Sequence, residues 1–156
     1  MDLYGLFETL EATPVGVAVR DSLWLFPVVE AVHLLALALL GGSVLILDLS
    51  LLGVGLRAAS PAAVEKAARP WLLLAVTVLI ATGVTLAVSE ALKLLDRNAF
   101  WLKMATLLAA LIFTFAIKNP LVRRSTSNAG LLKLFALLSI GLWLTVAIAG
   151  RWIGFS

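Results

Sequence analysis

The 156-residue chain has no cysteine, which removes disulfides, iron–sulfur clusters, thiolate zinc sites and c-type haem attachment in one step. Charge is also scarce. Only 13% of the residues are charged and 62% are hydrophobic, against roughly 25% and 45–50% in soluble domains, so a soluble globular enzyme is excluded. There is no glycine-rich phosphate loop, no nucleophile elbow and no His-Glu zinc helix. The opening MDLYGLFETLEAT lacks the positive n-region of a signal peptide and carries Asp2, Glu8 and Glu11 instead.

What the chain does have is long apolar runs, with a mean hydropathy of +1.09. A membrane-spanning helix needs about 20 apolar residues, and four such spans are expected at about 23–55, 71–95, 100–117 and 131–153. The fold class expected is all-α: residues 1–156 form a single transmembrane domain, a four-helix up-down bundle with short links. Residues 1–21 precede it as an interfacial helix and collar. Leu3, Leu6, Phe7 and Leu10 give that helix an apolar stripe, and Thr13-Pro14 reads as the cap and first turn of a second short segment. Gly41-Gly42 would allow a bend in span one or close approach by a neighbour. Ser60-Pro61 should cap a brief turn, with Pro70 starting the next span.

The cations divide by side. Arg57, Lys66, Arg69, Lys118, Arg123, Arg124 and Lys133 gather at one end. Arg20, Lys93, Arg97, Lys103 and Arg151 at the other end are diluted by Asp2, Glu8, Glu11, Asp21, Glu30, Glu90 and Asp96. By the positive-inside rule the first end is cytoplasmic and both termini face outward. Cations that flank apolar runs set topology, so the bilayer is the expected partner and nucleic acid is not.

An ionisable group near the centre of a membrane helix costs roughly 2.5–3.5 kcal/mol on insertion scales, so each one requires a reason. His33, the only histidine, lies about 15 Å along span one, with Glu30 three positions before it on an adjacent part of one face. Lys103 sits about one turn inside span three. Together with Glu90, Lys93 and Arg151 these residues fall in the outer half, on four helices. Asp48 alone lies deep in the other half, as a partner for Lys118 or Arg57 or as part of a proton path.

A neutral imidazole is a good ligand for haem iron, and Lys93, Lys103 and Arg151 are available for haem propionates. One histidine leaves the iron five-coordinate, or with a sixth ligand from Lys103, Met104 or another subunit. Glu30 would orient the imidazole or relay protons. The alternative is that His33 hydrogen-bonds to a neighbouring helix while the charges form helix-end pairs. Thr82, Thr85, Ser89, Gly83, Ala87, Gly141 and Ala147 read as helix-packing devices.

The segments WLFPVVEAVH, GGSVLILDL, FWLKM and AGRW resemble a bacterial family of small four-span membrane proteins known only as a domain of unknown function. More distantly, the chain resembles the superfamily of HemJ-type protoporphyrinogen oxidases and CopD-type copper-resistance proteins. That resemblance implies haem b, with His33 as the axial and metal ligand and Lys103 in place of the assisting lysine. FTFAIKNP has no histidine, so no second axial ligand comes from late in span three.

The expected function is therefore a haem-binding electron-transfer or oxidoreductase component of the bacterial inner membrane. Its site residues are His33, Lys103, Arg151 and Glu30, a redox protein is its expected partner, and self-association into a homo-oligomer would bury its polar faces. A non-enzymatic scaffold or accessory subunit remains open as an alternative, as does a copper-handling transporter, although soft ligands are restricted to Met1, Met104 and His33.

Overall fold

A computed structural model describes residues 3–55, 59–124 and 128–153, so Met1, Asp2 and Arg57 lie outside the described residues. All regular structure among the described residues is helical. The short helices α1 (Leu3–Glu11) and α2 (Pro14–Asp21) form a collar ahead of α3 (Leu25–Leu52). They are followed by α4 (Pro61–Ser89), α5 (Ala91–Leu95), α6 (Asn98–Ile112), a π-helical turn (Phe113–Lys118), α7 (Asn119–Arg124) and α8 (Ala129–Ile153). In a bilayer each backbone N–H and C=O must be satisfied within its own segment, which is why continuous apolar runs become helices.

The helix ends follow local chemistry. Thr13 and Ser60 are N-caps, each accepting a backbone N–H with its hydroxyl ahead of a proline in the first turn. α3 stops at Gly53, which takes the left-handed conformation with φ 78°. There the amides of Gly53 and Val54 close on the carbonyls of Ser50 and Leu49.

The helices α3, α4 and α8, together with the continuous stretch Asn98–Arg124, are long and apolar enough to cross a membrane. They mark a multi-pass membrane protein. α3 packs on α4 and α8, and α6 packs on α8. At the end opposite the collar, α7 closes the bundle against α4. The core layer at mid-height is Leu40, Val44, Leu72, Ala75, Ala110, Trp143 and Val146. Large apolar side chains also face outward, with Leu35 72% exposed. In water that surface would be a liability, and in lipid it is the solvent-matched face.

At three places the structure departs from the sequence reading. α4 begins at Pro61 and runs through Pro70, because a proline costs a helix only one backbone bond and some strain, while Val64 and Leu72 on either side are buried. The third span continues through Asn119 and Pro120 to Arg124. The wider π turn ends next to Pro120, which has no N–H to offer the carbonyl four residues back. Nothing approaches Gly41, Gly42 or Gly141 within 4 Å of where a Cβ would stand, so these glycines are not points of close helix contact.

Candidate functional site

Two polar layers interrupt the apolar bundle. The first, nearer the collar, is built on His33, about 12 Å along α3 from its first residue. The ring Nδ1 lies 2.8 Å from Thr82 Oγ1 on α4. That hydroxyl spends its single proton on Val78 O at 2.7 Å, so Nδ1–H is the donor and Thr82 the acceptor. The lone pair is thereby assigned to Nε2, on the other side of the ring. The ring rests against Gly83, where an added Cβ would stand 3.3 Å from Cε1. Thr82 and Gly83, which read as packing residues in the sequence, are the seat of the histidine.

The other expected site residues are placed unevenly. Lys103 on α6 is half-buried, and its stem lies along the last turn of α8, where a Cβ at Gly150 would meet its Cε at 3.4 Å. Its ammonium is close enough to His33 to act on it electrostatically, and no hydrogen-bond partner for it exists among the described residues. Glu30 is exposed, and the group at His33 Nδ1 is Thr82. A neutral hydroxyl is far cheaper to bury beside apolar helices than a carboxylate is. Arg151 lies exposed on the last turn of α8, and Lys93 pairs with Glu90 at 3.1 Å, away from the ring's partner.

The collar covers this end. Glu11 accepts the Leu92 N–H at 2.8 Å and pairs with Arg20 at 2.7 Å, while Phe7 stacks near Trp101 at 6.3 Å. Gly16 lets α2 sit directly on backbone, since a Cβ there would fall 2.8 Å from Glu11 O and 3.0 Å from Val88 O.

The second polar layer, toward the opposite end, is fully enclosed. Lys118 donates to Asp48 Oδ1 at 2.6 Å and to Ser139 Oγ at 2.7 Å, and the side chains of Lys118 and Asp48 are 0% exposed. Lys118 is thus a partner of Asp48, while Arg57, the other residue named for it, lies outside the described residues. Sequence reasoning placed Lys118 just beyond the third span, whereas the π turn carries it inside. Nearby, Trp143 Nε1 donates to Thr114 Oγ1 at 3.1 Å and Arg123 pairs with the buried Glu65 at 2.7 Å.

Among the described residues no group of three His, Cys, Asp or Glu side chains could hold a bare metal ion. No curated protein and no solved structure matches the chain. A family described as a family of unknown function, DUF6644, matches residues 16–156, from within α2 to the last residue, and the chain belongs to it.

Proposed function

We propose that this protein is a membrane-embedded b-type haem protein serving electron transfer or a redox enzyme, with His33 as the axial ligand. The supporting observation is the contact between His33 Nδ1 and Thr82 Oγ1. Thr82 fixes Nδ1 as the protonated nitrogen and leaves the Nε2 lone pair free, the second-sphere arrangement that metal-bound histidines require. Lys103, cationic and without a hydrogen-bond partner among the described residues, would meet a propionate, with Arg151 nearer the surface. Haem held there supplies a one-electron couple. The protein's part is to orient the imidazole, to supply cationic partners and, through the collar, to keep water from that end of the bundle. The distant likeness to HemJ-type and CopD-type proteins supports the same reading. The cation-rich end carrying Lys66, Arg69, Arg124 and Lys133 is cytoplasmic in this reading, and the collar faces outward in the bacterial inner membrane.

The test is the absorption spectrum of detergent-purified protein expressed with added haem precursor. A Soret band that shifts on reduction is expected, and it should vanish in His33→Ala while the protein still purifies as a folded helical bundle. A wild-type protein without a Soret band, or a band that survives H33A, overturns the reading.

A further inference from the structure

The second polar layer holds a charge pair that haem binding does not use. Asp48 comes from α3, Lys118 from the end of the π turn and Ser139 from α8, and none of the three is exposed. Two acceptors, the Asp48 Oδ1 and the Ser139 Oγ, lie 2.6 and 2.7 Å from one nitrogen. The second carboxylate oxygen, Asp48 Oδ2, is buried and has no hydrogen-bond partner among the described residues. The helices carrying these acceptors are held by apolar packing around them, with Leu47 and Leu51 on α3 and Ala136 on α8 in one buried cluster. The acceptors therefore do not depend on the lysine stem for their position.

An enclosed carboxylate is tolerated only against a cation, and a hydroxyl beside it selects a cation that donates hydrogen bonds. We infer that Asp48 and Ser139 form a binding site for a primary ammonium group, occupied in this chain by Lys118 as a tethered ligand. A free primary alkylammonium ion takes the same place when the tether is removed. Occupancy of this site locks α3 and α8 to the π turn. The site discriminates by hydrogen bonding, since a quaternary ammonium carries the same charge but has no N–H to give to either acceptor.

The experiment follows thermal unfolding of the full-length Lys118→Ala variant in detergent as n-propylammonium is added. That ion supplies three carbons and an ammonium in place of the Cγ, Cδ, Cε and Nζ that the substitution removes. K118A is expected to melt below the wild type and to recover most of the loss, saturably, with propylammonium. Tetramethylammonium at equal ionic strength should restore nothing, and the D48N/K118A double variant should respond to neither. Equal responses of K118A to the two ions, or equal responses of K118A and D48N/K118A to propylammonium, overturn the inference. If K118A does not accumulate, its membrane yield with and without propylammonium in the growth medium is the readout. Restored yield is expected, and unchanged yield overturns the site.

Discussion

His33 and Asp48 are both ionisable groups placed among apolar helices, and each is stabilised differently. The imidazole is met by a hydroxyl already committed to its own helix, so no second charge is buried. Replacing Thr82 with Val keeps the shape and removes the acceptor. Haem affinity should then fall roughly 10–100-fold, the usual cost of losing such a partner, with Thr82→Ser close to wild type, as measured by haem transfer to an apo-globin. Asp48 is instead met by a full counter-charge. Asp48→Ala leaves Lys118 buried without its anion and should cost about 3–5 kcal/mol, whereas the D48L/K118M pair should be nearly neutral, both read by chemical unfolding. The sequence makes His33 and Asp48 visible because each is a lone polar residue in an apolar run. It does not identify Thr82, because which of Thr82, Thr85 and Ser89 faces α3 depends on how two antiparallel helices slide against each other.

Elements were legible where a cap or an apolar run defined them. α1 follows from its apolar stripe and α2 from Thr13 and Pro14, while α3 covers Leu25–Leu52 within the expected run 23–55 and stops at Gly53. The errors fall at prolines. Pro70 and Pro120 read as boundaries in isolation, yet both are carried inside long helices by packing on either side. The π turn has no sequence signature of its own, and without it Lys118 counts as a loop cation instead of a buried one. Glycines differ in the same way, by what surrounds them. Gly16→Ala puts a methyl 2.8 Å from the Glu11 carbonyl and 3.0 Å from the Val88 carbonyl, and neither backbone atom can swing aside. The collar should detach in this variant and be cut sooner in limited proteolysis. Gly141→Ala, with open space around it, should leave stability within about 0.5 kcal/mol of wild type by the same unfolding measurement.

At the scale of the whole molecule, about 22 Å of α3 separates His33 from Asp48. Between them the buried polar side chains Ser43 and Thr114 are each satisfied locally, Ser43 by Leu39 O and Thr114 by the Trp143 indole N–H. The described residues thus build two separate polar sites facing opposite ends, not one continuous polar path. The bundle itself would pack equally well inverted, so the proposed orientation rests on the cations alone. By the positive-inside rule Lys66 and Arg69 near the start of α4 would favour the cytoplasmic side for that end, while the acidic collar carrying Glu8 and Glu11 offers no such bias. The absence of cysteine makes the chain ready for labelling without background. Cysteines at two exposed positions, Glu8→Cys in α1 and Lys66→Cys in α4, report on opposite ends. With a membrane-impermeant maleimide, Glu8→Cys should be labelled in spheroplasts and Lys66→Cys only after permeabilisation. The reverse pattern would put the histidine layer on the cytoplasmic side and require a redox partner there.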